Sequence, residues 1–120
     1  MEFSDNKAIY LQIIEYVHEN ILAGKWHADE RVPSVRDLAV ELQVNPNTVM
    51  RAYDQLQAGE ILYNKRGIGL HVSADAMTLI TAKNREIFLN RELPAFFRKM
   101  DLLQISPEEI MRLHKLRSED

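Results

Sequence analysis

The chain has 120 residues, 46% hydrophobic and 28% charged, which is room for one domain, or a small domain with an appendage, and too little for most two-domain enzymes. It has no cysteine, which excludes disulfides, thiol nucleophiles and thiolate metal sites; it also lacks any apolar run near the roughly 20 residues of a membrane helix, and its polar Met1 to Lys7 start is unlike a secretory signal, so a cytoplasmic location is expected. A net charge of −3 argues mildly against nucleic acid as a partner.

Tyr10, Ile13, Ile14, Val17 and Ile21 recur at helical spacing and predict an amphipathic first helix, capped by Asp5 or Asn6 and ended at Gly24. After a polar loop, Lys25 to Glu30, the run Pro33-Ser34-Val35-Arg36-Asp37-Leu38-Ala39 predicts a second helix. Ser34 is its N-cap, Asp37 at N3 completes a capping box, and Val35, Leu38, Ala39 and Leu42 face inward. Gln43-Val44-Asn45-Pro46 interrupts this helix and opens the next, with Asn45 as N-cap and Pro46 at N1, where a missing N–H costs nothing. Val49, Ala52, Tyr53 and Leu56 form the buried stripe of the third helix, Gly59 marks its end, and Asn47, Thr48, Arg51 and Gln55 fall on its opposite face.

Ile61-Leu62-Tyr63 and Leu70-His71-Val72 are short β-compatible runs around a tip of two glycines and two cations, the pattern of a hairpin. Beyond Asp75, Met77, Ile80, Ile87, Phe88, Phe96, Phe97, Met100 and Leu103 are spaced for a long helix that Pro94 must kink or break. Ser106-Pro107-Glu108-Glu109 opens a last helix with Ile110, Leu113 and Leu116 as its apolar positions. The expected fold is mainly α with a small β-hairpin: a winged helix-turn-helix over residues 1–75 and a two-helix tail over residues 76–120.

Two short helices joined by a tight turn, the second followed by a glycine-tipped hairpin, suit double-stranded DNA. The second helix of such a pair can enter the major groove, where Asn45, Asn47, Thr48 and Arg51 would stand within reach of base edges. At the start of the first helix, Arg36 can meet phosphate or the groove edge, with Ser34 beside it as a further DNA-binding candidate. At the hairpin, Lys65, Arg66, Gly67 and Gly69 can lie along the adjacent strand, glycine permitting close approach of the main chain. Each residue also has a plainer role: Ser34 and Asn45 are caps, Arg36 and Arg51 could be solvated helix arginines, and Lys65 and Arg66 could be solubility charges. Tyr10, Tyr53 and Trp26 fit packing better than base stacking. His18, His27, His71 and His114 show no metal-ligand spacing, and no nucleophile triad, carboxylate pair or phosphate-cradling loop is visible, so neither a metal, a cofactor nor an enzymatic activity is expected.

Residues 8–73 closely resemble the winged-helix domain of GntR-family bacterial transcriptional regulators, through AIYLQIIEYVHENILAGKW, RVPSVRDLAVELQVNPNTVMRAYDQLQAGEIL and KRGIGLHV. The VNPNTV variant with a short tail containing LPAFF and LLQISPEEI is similar to the YtrA-like subfamily, whose two-helix tails serve for dimerisation. The resemblance implies a homodimeric repressor of an inverted-repeat operator, often at its own promoter and often controlling an ABC transporter. It also implies DNA contacts by Arg36 of the PSxRxLA motif, by Asn45, Asn47 and Thr48, and by the wing Gly67 to Gly69. Three positions depart from the family. Pro46 and Met50 stand where many members carry basic residues, and Gln43 replaces a common turn glycine, at a cost of roughly 1 kcal/mol if that site takes a positive φ.

Charge divides unevenly along the chain. Residues 1–74 hold ten acidic and seven basic side chains, and residues 75–120 hold eight of each, yet the acids of the first part fall mostly on its first helix, loop and element ends. Arg36, Arg51, Lys65 and Arg66 remain on the candidate contact surface, opposed locally by Asp37 and Asp54. In the tail, Ile87, Phe88, Phe96, Phe97 and Met100 are too many large apolar groups for so short a segment to bury alone, and are expected to form the homodimer interface. The competing reading is a winged helix used as a protein-interaction module without specific DNA binding. The tail lacks the size of a ligand-binding domain; a small-molecule effector at the dimer interface stays open, with no sequence feature behind it.

Overall fold

The computed structural model describes residues 1–118. In chain order they form α1 (Ile9–Leu22), α2 (Val35–Leu42), α3 (Pro46–Ala58), β1 (Leu62–Lys65), β2 (Gly69–Val72), α4 (Ala76–Ile87), a π-helical segment (Phe88–Glu92), α5 (Leu93–Leu103) and α6 (Pro107–Ser118). Mainly helical architecture with one antiparallel hairpin is the fold class the sequence predicts. Two compact units divide the chain, Met1–Thr81 and a second from Ala82 on. The first unit runs past Asp75 because Ala76 and Ile80 of α4 are buried in its core. No helix among the described residues is long and apolar enough to cross a membrane.

In the first unit, α1 buries Ile13, Val17 and Ile21, with Tyr10 and Ile14 packed at the edge of the core. Its start differs from expectation: the N-cap is Ala8, with no side-chain cap, and Asp5 and Asn6 lie in the preceding turn. Gln12 organises that segment instead. Its amide donates to the carbonyls of Ser4 and Lys7, and its side-chain oxygen accepts from the Ser4 N–H. A buried glutamine beside the apolar stripe is satisfied by main chain it fixes in place, a role that counting hydrophobic positions does not reveal.

α3 packs against α1 and α2, and carries Val49, Ala52, Tyr53 and Leu56 into the core. The Tyr53 hydroxyl donates to the Pro33 carbonyl at 2.8 Å, tying α3 to the chain just before α2. Burial, reinforced by the nearby Glu41 and then Tyr16, holds this phenol well above its ordinary value of 10.0. The folded state thus favours the neutral ring: its stabilisation is complete below pH 10.0 and is lost as pH rises beyond it. Urea midpoints should therefore fall from about pH 9 to about pH 11. Tyr53→Phe should flatten much of that fall while costing about 1 kcal/mol at neutral pH, because the Pro33 carbonyl loses its donor. An equally steep alkaline fall in the variant would place the titration elsewhere.

β1 and β2 pair antiparallel in the register Leu62–Val72, Tyr63–His71, Asn64–Leu70 and Lys65–Gly69. The other edge of β2 is also engaged: Val32 N–H donates to Leu70 O, Val72 N–H to Glu30 O and Asp29 N–H to Val72 O, with an isolated bridge between Arg31 and His71. The end of the stretch that reads as a polar loop, Asp29 and Glu30, thus lies along β2 together with Arg31 and Val32. α3 ends at Gly59 in an ordinary conformation, φ −84°, and the left-handed residue is Glu60 at φ 64°.

In the second unit, Pro94 sits in the first turn of α5. The expected kink or break takes the form of a widened π turn at Phe88–Glu92, which absorbs the missing proline N–H and the crowding of its ring without ending the helix. Ser106 caps α6 by accepting from the Glu109 N–H at 3.1 Å. A groove of about 530 Å³ runs along α5 and α6, lined by Phe96, Phe97, Met100, Ile105, Ile110 and Met111 among others. Met100 is buried, whereas Ile87, Phe88, Phe96 and Phe97 are 40–52% exposed.

Candidate nucleic-acid interface

Local capping sets the helix-turn-helix. Ser34 Oγ accepts from the Asp37 N–H at 3.0 Å and fixes the start of α2. Arg36, two residues on, is exposed on the first turn and is not committed to an ion pair among the described residues. α2 closes at Gln43, in the left-handed region at φ 57° and ψ 50°, followed by a Val44 N–H to Ala39 O bond of 3.0 Å. A non-glycine residue there carries strain of roughly 1 kcal/mol, held by the buried Leu42 before it and the partly buried Val44 after it. The turn aims the chain into α3, whose cap Asn45 accepts from the Asn47 N–H at 2.8 Å, with Pro46 beginning the helix.

Those bonds sort the predicted contact residues. The side-chain oxygens of Ser34 and Asn45 are occupied by helix caps, leaving the Ser34 hydroxyl hydrogen and the Asn45 amide N–H groups to meet a ligand. Asn47 is exposed on the first turn of α3, Thr48 is half-buried, and Met50 presents an apolar surface at the next turn. Arg51 is not free in solvent: its guanidinium carbon lies 3.7 Å from the centroid of the Tyr10 ring on α1. Lys65, Arg66, Gly67 and Ile68 are exposed at the hairpin tip, closed by an Ile68 N–H to Lys65 O bond of 2.9 Å, with Gly67 at φ 79°.

Gly69 stands at φ 115°, and a Cβ there would lie 3.3 Å from Arg31 Nε. Glycine thus leaves the space in which the exposed Arg31 side chain runs beside the wing. Arg31 is a cation that the sequence reading passes over, because it sits in an apparently irregular stretch whose pairing with β2 is a tertiary event. At the wing base the Tyr63 hydroxyl donates to Asp29 Oδ1 at 2.9 Å, and that acceptor raises the phenol's pKa above its usual value. His71 is buried, packs on Tyr63 at 5.7 Å, and its Nδ1 lies 2.9 Å from the Gly69 carbonyl. A carbonyl only accepts, so Nδ1 carries the proton. These contacts hold the hairpin from its inner side and leave the cationic tip outside.

The geometry is that of a winged helix-turn-helix: an α2–turn–α3 pair followed by a hairpin, presenting amides, cations and glycine backbone from exposed positions. Residues 9–72 match the family described as "Bacterial regulatory proteins, gntR family". The chain belongs to the GntR family and is a transcriptional regulator, not an enzyme. It is 31% identical over 111 residues to the uncharacterized HTH-type transcriptional regulator YhcF of Bacillus subtilis, covering 92% of this chain and 89% of YhcF. Over 72 residues it is 40% identical to the HTH-type transcriptional repressor YtrA of the same organism, covering 60% of this chain and 55% of YtrA. Among solved structures, a GntR-family regulator from Bacteroides thetaiotaomicron superposes with a TM-score of 0.79 at 43% identity, covering 94% of this chain and all of that one. The AraR DNA-binding domain, solved in complex with its operator ORR3, superposes with a TM-score of 0.53 at 27% identity, covering 61% of this chain and 86% of that one.

Proposed function

We propose that the protein is a homodimeric repressor that binds an inverted-repeat DNA operator through two copies of the winged helix-turn-helix. The observation that carries this reading is the exposed first turn of α3, bearing Asn47, in the same compact unit as the Arg36 end of α2 and the Lys65–Arg66 wing tip. An operator-bound relative of the same fold supports DNA as the partner, and YtrA's repressor role supports the direction of regulation. Its own operon, with an ABC transporter among the controlled genes, is the target that the family resemblance favours.

The second unit supports the dimeric part of this reading. Exposed Ile87, Phe88, Phe96 and Phe97 beside an open apolar groove form the kind of surface that a second copy covers. Charge sets the binding regime. With about six to eight phosphate contacts per dimer, affinity falls steeply with salt, and an acidic remainder keeps non-specific binding weak. The test is a mobility shift on the fragment upstream of the protein's own gene, followed through a salt titration with specific competitor. A competitor-sensitive shift that fades steeply with salt is expected. The absence of any such shift would favour the protein-interaction reading.

A further inference from the structure

Arg51 is the one cation on the exposed face of α3, and it is stacked rather than free: its guanidinium carbon lies 3.7 Å from the centroid of the half-buried Tyr10 ring. Tyr10 is itself anchored, packed against the core from the first turn of α1, and the adjoining segment is pinned by Gln12 to Ser4 and Lys7. A guanidinium on a ring face keeps its in-plane N–H edges available while its rotamer freedom is largely removed before any ligand arrives. We infer that Tyr10 is a positioning residue of the DNA interface, its ring holding the Arg51 guanidinium on the α1 side of α3 for contact with the DNA backbone rather than with base edges.

The inference rests on the DNA-binding reading and adds an element to it. α1 packs directly on α3, so the first helix supplies the platform on which a recognition-helix cation is preset. It also divides labour along α3. Asn47, one turn before Arg51 and exposed, is left as the polar group aimed outward from the helix start, and Arg51 serves register and affinity.

The test uses the full chain and a duplex enriched from a randomised library by the wild-type protein, with a scrambled duplex as reference. Arg51→Ala should weaken both duplexes by a similar factor and lower the salt slope by about one per protomer. Tyr10→Leu should weaken both by about fivefold, and Tyr10→Phe, which keeps the ring, should bind like wild type. In the Arg51→Ala background, Tyr10→Leu should cause no further loss. Melting temperatures recorded alongside separate a purely structural brace, which would lower stability in both backgrounds and leave affinity unchanged. Unchanged binding by Tyr10→Leu, losses that add in the double variant, or a Tyr10→Phe defect as large as that of Tyr10→Leu would each overturn the inference. Failure of the wild-type chain to enrich any duplex would overturn the DNA-binding reading itself.

Discussion

A chain ending at Thr81 is expected to sediment as a monomer at micromolar concentration and to lose at least about a hundredfold in operator affinity, the gap between specific dimeric and non-specific binding. The cut belongs at Thr81 because Ala76 and Ile80, each 1% exposed, fill the core of the first unit; a cut at Asp75 would open that core and confuse unfolding with loss of partner. What the truncation removes is the aromatic surface. Phe88, Phe96 and Phe97 are 48, 45 and 52% exposed, so covering them fully would remove about 100 Å² of apolar surface per ring. At about 25 cal/mol per Å², that is about 2.5 kcal/mol each. Six fully covered rings in a symmetric pair therefore contribute on the order of 15 kcal/mol against association costs of about 4–15 kcal/mol. The rings alone only match the upper end of that cost, and the exposed Leu102 and Leu103 of the same helix, at 83% and 62%, offer further apolar area. A truncated chain that stays dimeric would move the interface into the winged unit.

Arg36→Ala should cost about 1–3 kcal/mol of operator affinity, roughly 5- to 150-fold, with stability unchanged or slightly raised. Alanine is the better helix former at an exposed helical position, the Ser34 cap is untouched, and Arg36 is exposed on the face of α2 away from the buried Leu38, Ala39 and Leu42. Binding and stability are thereby uncoupled at this site, and thermal melts beside binding isotherms read both. Wild-type affinity in a well-folded variant would place the backbone contact elsewhere.

What could be read from the sequence was local. Ser34, Asn45, Pro46 and Ser106 act on the backbone within three residues of themselves, so their caps can be read from identity and spacing, and the structure places each where expected. The stripe Ile13, Val17 and Ile21 was legible because its period is the helix's own. The start of α1 was not, since its stabilisation comes from Gln12 folding the chain back instead of from a cap. Nor was the company that Arg51 keeps: residues 10 and 51 meet only because α1 packs across α3. The same holds for Arg31, whose place beside Gly69 depends on a third segment pairing with β2. Helix identities and candidate contact residues could thus be read one element at a time, whereas the side chains that set the posture of those contacts required the packing between elements.

The most direct measurement of the central claim is enrichment of duplexes from a randomised library by the full chain, followed by the stoichiometry of the complex on the winning sequence. Two inverted half-sites, centred about 10 bp or a multiple apart, with two protomers bound, are the expected result. No enriched sequence, or a lone half-site bound by a single protomer, would contradict a dimeric operator-binding regulator.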